Sequence, residues 1–218
     1  MASMWCKWCK KILFLAGVCC CVLLAAGQSP ASGSDSPQQL LDDVLSLHLG
    51  LNGYYIGQHI SPEQKQKGGG HLEKDAYEGT YKFRDADLFV VVDKKTDRIL
   101  ALYKRQENVD KNGLKAMVVE LMDHFGTPTL LAHDKILYWA FNAHGAISEE
   151  DFNKARDAKQ IPNLGIIATV KLNSDIEITP DSQKEKEQIT DAQETPRGTV
   201  YFVITSDPLV QQFMRDYS

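Results

Sequence analysis

Histidines are the side chains of this chain best suited to metal binding or proton transfer. The chain has six of them, and they are scattered over His48, His59, His71, His124, His133 and His144. Two histidines that bind one zinc ion from a helix are spaced i, i+4, usually with a carboxylate as a further ligand. No pair here has that spacing. The sequence therefore predicts no metal site and no cofactor.

Nucleophilic and carboxylate chemistry also lack their usual sequence patterns. Neither Gly-x-Ser-x-Gly nor Ser-x-x-Lys occurs in the chain. Asp85 and Asp87 have the residue types of a glycosidase pair, but they flank Ala86 between two strand-like segments, which is ordinary turn composition. Gly68, Gly69 and Gly70 lack the strand, helix and lysine of a phosphate loop, so we interpret them as a flexible linker that ends a short helix.

The strongest candidate for recognition is an aromatic strand, Ile136–Phe141. Alternation places Tyr138 on one sheet face and Trp139 on the other. Exposed aromatic side chains in a patch mark recognition sites, so the face of Tyr138 or the face of Trp139, if helices do not cover both, is a possible binding face. The alternative is that both rings pack in the core, as strand aromatics commonly do.

The elements that would position this strand alternate between helical and strand periodicity. An apolar stripe predicts a helix that ends at Gly126 and comprises Leu114, Met117, Val118, Leu121, Met122 and Phe125. Further helices are expected near residues 37–47, 62–67 and 208–217, and a short one starts at Ser148 in a segment that ends at residues 161–165. Strands are expected at 79–84, 88–92, 98–103, 136–141, 166–172 and 199–205. This order predicts an α+β fold with a mainly antiparallel sheet of about five to six strands and helices packed on one face.

The first 27 residues have the layout of a secretory signal peptide. Lys7, Lys10 and Lys11 precede an uncharged apolar segment, residues 12–26, and small residues follow it. We predict cleavage between Gly27 and Gln28. The apolar segment is shorter than the roughly 20 residues that cross a bilayer, so a retained anchor is the second alternative. Lipid attachment at Cys19 is the third.

The domain organisation follows from that leader. Residues 1–27 are the signal peptide, residues 28–35 a flexible spacer, and residues 36–218 a single α+β domain. Within the domain, residues 174–198 carry seven acidic and three basic side chains and no aromatic one, which predicts a mobile acidic loop.

Charge restricts the partners of the mature chain. Loss of the three leader lysines lowers the formal net charge from −5 to −8. Nucleic acids and anionic lipids require a basic surface, so neither is the expected main partner. Membrane contact is expected only through the leader, if it is retained or lipidated. An exported location, periplasmic or at the cell surface, follows from the same leader.

Two short segments resemble exported families. Phe125-Gly126-Thr127-Pro128, followed by Tyr138–Phe141, resembles the small envelope proteins of the SmpA/OmlA and β-lactamase-inhibitor-like group over about residues 112–142. The segment Val92–Leu100 is similar to the strands of PepSY-type exported domains. Either resemblance implies a non-catalytic α+β module that binds or inhibits another envelope protein.

The sequence thus favours an exported binding or assembly module of the bacterial envelope, whose partner is another envelope protein. Two alternatives stay open. One is an envelope hydrolase whose site is assembled only in three dimensions, and the other is a carrier of a small ligand in a cavity between helices and sheet.

Leader cleavage can be tested through cysteine content, because Cys6, Cys9, Cys19, Cys20 and Cys21 all precede Gln28. We expect the exported protein to begin at Gln28 and to gain no mass with a thiol-alkylating reagent under denaturing conditions. Intact-mass spectrometry measures both. A chain that takes up alkyl groups has kept its leader, and a chain with the mass of attached lipid has been lipidated.

Overall fold

The computed structural model describes residues 36–69, 72, 76–178 and 196–216, which belong to one compact unit. The helices within these residues are α1 (Pro37–Ser46), α2 (Pro62–Gly69), α3 (Lys111–Phe125), α4 (Glu149–Asp157) and α5 (Asp207–Asp216), with a 3-10 helix at Ile161–Leu164. No helix among them is long and apolar enough to cross a membrane.

Within the described residues, ten strands form two sheets. The strands are β1 (Gly50–Leu51), β2 (Tyr54–Tyr55), β3 (Thr80–Asp85), β4 (Leu88–Asp93), β5 (Ile99–Val109), β6 (Leu130–Ala132), β7 (Ile136–Asn142), β8 (Gly145–Ala146), β9 (Ala168–Ser174) and β10 (Gly198–Thr205). β1 and β2 form a separate ribbon. The other eight form one antiparallel sheet in the order β3-β4-β5-β10-β9-β7-β6, with β8 paired to β7.

The helix starts are set by side-chain caps. The Ser36 hydroxyl accepts the backbone N–H of Gln39, the Asp110 carboxylate accepts that of Gly113, and the Ser148 hydroxyl accepts that of Asp151. These contacts satisfy amide groups that have no partner within the helix. At the other end of α3, Gly126 takes a φ of 79°, a backbone conformation that side chains with a Cβ rarely adopt, and its N–H donates to the Met122 carbonyl.

The main core lies between one face of the sheet and helices α1 and α3. Alternate strand residues supply it, among them Leu88, Val90, Leu102, Trp139, Val170, Leu172, Phe202 and Ile204. Trp139 is 1% exposed, and its indole Nε1 donates to the Gly126 carbonyl oxygen at 2.8 Å. The indole therefore joins the central sheet to the end of α3 while its ring packs near Phe125.

A smaller cluster covers one end of the opposite sheet face. Ala140 of β7 packs there with Ile147 and with Phe152 of α4. The 3-10 helix contributes Ile161 and Leu164 to the same cluster. The face opposite the main core is thus closed beside β7 by α4.

The predicted α+β class and antiparallel sheet are confirmed, but the sheet has eight strands rather than five or six. The two strands missing from the prediction, β6 and β8, have three and two residues. Segments that short show no measurable alternation, and they pair because β7 lies beside them. β4 and β5 form an antiparallel hairpin, and β9 pairs antiparallel with β10.

Two segments predicted as flexible need revision. Gly68 and Gly69 lie inside α2, and a Cβ at Gly68 would come within 2.5 Å of the Phe83 ring. Gly68 thus permits close helix–sheet contact instead of forming a linker. The predicted acidic loop, residues 174–198, is shorter at both ends, because Ser174 belongs to β9 and Gly198 to β10. Residues 179–195 lie outside the described part of the chain.

Trp139→Ala is expected to lower the free energy of unfolding by about 3–5 kcal/mol, because it removes a fully buried ring and leaves the Gly126 carbonyl without its donor. Urea denaturation measures the change. The matched control is Val119→Ala, whose side chain is 51% exposed and whose loss is expected to cost no more than about 0.5 kcal/mol. Equal small effects at both positions would contradict the anchoring role of the indole.

Candidate binding face

The sheet face that points away from the main core, which we call the outer face, carries a row of side chains in register across six strands. Backbone pairing aligns them in the order Arg84, Phe89, Tyr103, Val203, Lys171 and Tyr138, from β3 to β7. A second row beside it contains Arg105, Tyr201, Asn173 and Ile136. Five of the six residues in the first row are therefore aromatic or cationic, and the exception is Val203.

The rings of the outer face are packed against cations and against each other. The Phe89 and Tyr103 rings stack with centroids 4.6 Å apart and planes 5° apart. The Lys171 Nζ lies 5.4 Å from the Tyr138 ring centroid, and the Arg105 guanidinium 5.6 Å from that of Tyr201. Arg84 lies 5.9 Å from Phe89. Cation–π attraction at these distances orients each cation without neutralising it.

The outer face is positively charged although the whole chain is negative. Its charged strand residues are the cations Lys82, Arg84, Arg105 and Lys171 and, near strand ends, the acids Asp93 and Glu107. Arg84 and Arg105 are exposed and Lys171 is half-buried, whereas Lys82 is only 4% exposed. Asp93 accepts hydrogen bonds from its own turn, and Glu107 pairs with Arg105. Because Glu107 compensates the charge of Arg105, the remaining accessible charge of the face is carried mainly by Arg84 and Lys171.

The two aromatic candidates for a binding face, Tyr138 and Trp139, lie on opposite faces of the sheet. Tyr138 lies on the outer face, half-buried, with Phe152 and Lys171 against its ring. Trp139 points into the main core at 1% exposure, so the prediction that it forms a binding surface is wrong. The alternative of core packing holds for Trp139 because strand alternation directs it under α3.

Three buried polar atoms have no hydrogen-bond partner in the described part of the chain. They are Asn153 Oδ1 of α4, and Thr169 Oγ1 and Asn173 Oδ1, which belong to outer-face positions of β9. Thr169 is 3% exposed and pairs in register with Ala140, beneath the α4 cluster. Buried polar atoms of this kind are usually satisfied by bound water or by a ligand. Asn153 and Thr169 lie at the α4 end of the outer face, whereas Asn173 lies four residues further along β9, opposite Ile136.

The candidate chemical groups from the sequence are dispersed. The Asp85 carboxylate accepts from the Tyr54 hydroxyl and from Lys67, while Asp87 pairs with Lys104. These two carboxylates therefore act in separate ion pairs. The His124 ring lies 3.2 Å from the Gly50 carbonyl. Among the described residues, no group of three or more histidine, cysteine, aspartate or glutamate side chains could hold a metal ion.

Helix α2 is clamped to the sheet by two tyrosine–aspartate–lysine clusters. Tyr54 donates to Asp85 at 2.9 Å, and Lys67 approaches the same oxygen at 2.6 Å. Tyr81 donates to Asp97 at 3.1 Å, and Lys65 lies 2.8 Å from that carboxylate. The clusters hold a short helix with few apolar side chains of its own through Lys65 in its middle and Lys67 in its last turn.

The pKa values of these groups follow from their contacts. Burial, with help from Asp85, raises the pKa of Tyr54 to about 12. Burial and the Asp97 charge raise the pKa of Tyr81 well above its ordinary value. The hydrogen bond from Lys65 lowers the pKa of Asp97. Each shift favours the protonation state that keeps α2 docked: neutral tyrosine and ionised aspartate.

Two open cavities border α3. One, of about 400 Å³, lies where β5 meets the start of the helix and is lined by Glu107, Asp110, Met117 and Arg197 among others. The other, of about 600 Å³, lies along the outer side of the helix beside Val119 and Asp123. Neither is lined by a histidine among the described residues. Met122, predicted to face the core, is 39% exposed on this side.

Comparison with known proteins gives no match to a protein-family model, a curated protein or a solved structure. The resemblance of residues 112–142 to small envelope proteins stays a prediction. Gly27 and Gln28, the predicted cleavage site, and His71 lie outside the described residues.

Sequence analysis missed Lys171, Arg105 and Arg84 as candidate site residues. One signal was present: Thr169, Lys171 and Asn173 alternate with the apolar Ala168, Val170 and Leu172. That alternation identifies one polar face of a single strand. The neighbours of Lys171 across the sheet depend on strand order, which local patterns do not encode.

The Tyr54 cluster predicts a loss of stability in alkali. The pKa of Tyr54 in the folded protein, about 12, lies above the usual tyrosine value of about 10. The stabilisation is therefore complete below about pH 10 and is lost as pH rises through about 12. Tyr54→Phe is expected to cost about 1 kcal/mol at neutral pH and to flatten the alkaline decline in unfolding free energy.

Urea denaturation at a series of pH values measures that decline. The control is Tyr77→Phe, whose ring is 52% exposed and which should keep the wild-type pH dependence. If Tyr54→Phe and Tyr77→Phe decline as steeply as the wild type between pH 10 and 12, the assigned role of Tyr54 is wrong.

Proposed function

We propose that this protein is an exported, non-catalytic binding module of the bacterial cell envelope, and that it holds another envelope protein on the outer face of its sheet. The leader pattern of residues 1–27 supports export. The resemblance of two segments to exported domains that bind other proteins agrees with this function. The binding surface is argued from the outer face itself.

The observation that carries the proposal is the row from Arg84 to Tyr138 in register across six strands. Tyrosine and arginine are enriched at protein interfaces, because one side chain supplies both apolar area and a polar group. Here the phenol and guanidinium groups lie on a rigid sheet whose other face is packed against the core. Partner binding then costs little ordering of the backbone.

A binding role fits the described residues better than hydrolysis does. A hydrolytic site needs a nucleophile or base oriented by a second group within a cleft. The shifted tyrosine and aspartate pKa values belong to the clamps that hold α2. The two cavities beside α3 are open grooves, and none of the residues of the aromatic row lines either of them. The broad outer face of the sheet is therefore the feature that supports the proposed function.

Partner capture should depend on the outer face. We expect the mature chain, residues 28–218, to retain a specific envelope protein from native extract, and expect Tyr138→Ala with Lys171→Ala to lose it. Both side chains are half-buried on the outer face, so their removal takes away contact area and a cation. Circular dichroism and urea denaturation first establish that the double variant is folded.

The matched control is Lys111→Ala with Val119→Ala, which removes one exposed cation and one exposed apolar side chain from α3. This variant should capture the partner as the wild type does. Loss of capture in the α3 variant alone would move the binding surface to the helix. Retention by both variants would remove the argument for the outer face and direct attention to substrate screening.

A further inference from the structure

We infer that the outer face binds an extended, acidic segment of its partner protein, whose carboxylates contact Arg84 and Lys171. This inference rests on the proposed function and adds the chemistry of the partner. Three features of the outer face support it: the local reversal of charge, the occupied aromatic rings and the distance between the cations.

The local charge is opposite to that of the molecule. The chain has a formal net charge of −5, yet the accessible charges of the outer face are mainly cationic. A cationic surface on an acidic protein attracts a short anionic group once the two are within about 10 Å, the screening length at moderate salt. A long polyanion would extend past this face onto the acidic remainder and be repelled there.

The aromatic rings of the outer face already contact each other or a cation, and this favours carboxylates over nucleic acid as the bound anion. Phe89 and Tyr103 stack on each other, while Lys171 and Arg105 lie over Tyr138 and Tyr201. Binding of single-stranded nucleic acid depends on ring faces that stack with bases. Rings that instead hold cations in place favour carboxylates, because the ammonium and guanidinium N–H groups are oriented at little further cost in side-chain entropy.

The spacing of the cations fits an extended peptide. Arg84 and Lys171 occupy one row and are separated by four strand-to-strand steps. At about 4.8 Å per step their Cα atoms lie about 19 Å apart. An extended segment of about six residues covers that distance. Arg105, in the adjacent row on β5, lies between them in the direction across the sheet but is already paired with Glu107. A segment with acidic residues about six positions apart can thus reach both Arg84 and Lys171.

The closing experiment measures binding of defined probes to the purified mature protein. A fluorescein-labelled peptide of about twelve residues, with glutamate at every third position, is titrated and followed by anisotropy. We expect binding that weakens as salt rises, because the contacts are partly exposed ion pairs. The same peptide with glutamine in place of glutamate should bind at least about tenfold more weakly.

Variants assign the binding to the outer face. Lys171→Gln and Arg84→Gln are each expected to weaken glutamate-peptide binding by about threefold to tenfold, and together by more. Their unfolding free energies should change little, since both groups retain solvent contact. Lys111→Gln, an exposed lysine of α3, should leave peptide affinity unchanged.

Two outcomes would overturn the inference. One is equal affinity for the glutamate and glutamine peptides. The other is tighter binding of an oligothymidylate of similar length, which would make the face a nucleic-acid surface. Loss of capture by the Tyr138 and Lys171 double variant, together with no preference for the acidic peptide, would leave the proposed function standing and reject only the acidic partner. Failure of both experiments would reject both.

Discussion

The two-residue repeat of the central strands is the constraint on which the rest of this structure depends. In β9 and β10, every second side chain is apolar and packs beneath α3, so the intervening side chains must point to the outer face. A one-residue slip would bury Lys171 and expose Val170 and Leu172. The core and the candidate binding surface are therefore fixed by the same hydrogen-bond register.

Trp139 makes that register costly to change. Its indole lies in the core and donates to the carbonyl of Gly126, where α3 ends. The residue before it, Tyr138, is by the same alternation held on the outer face beside Lys171. A rigid aromatic surface on one side of the sheet is thus a consequence of close packing on the other.

Helix α2, at the edge of the sheet, buries little apolar area and is held mainly by ion pairs and hydrogen bonds. Helix α2 docks through Lys65 and Lys67, whose aspartate partners also accept from tyrosine hydroxyls. Isolated surface ion pairs contribute little, but here each carboxylate also accepts from a tyrosine whose ring is buried or half-buried. Gly68 allows the helix to approach Phe83 closely enough for both clusters to form.

Local patterns in the sequence determined the elements. The caps at Ser36 and Ser148, the end of α3 at Gly126 and the β4–β5 hairpin follow from residue types within a few positions of one another. The α+β class follows from the order of those elements. Short strands such as β6 and β8 do not, because two or three residues carry no period and pair only when a neighbour is already in place.

Only the tertiary structure determines which residues lie next to each other on the outer face. Strand β10 lies between β5 and β9, so Arg105 meets Tyr201 and Tyr103 meets Val203 across nearly a hundred residues of chain. The sequence showed that Tyr138 and Trp139 face opposite sides, but which side was covered depended on where α3 packed. The row from Arg84 to Tyr138 exists because strand order and register bring distant residues together, and neither is encoded by spacing along the chain.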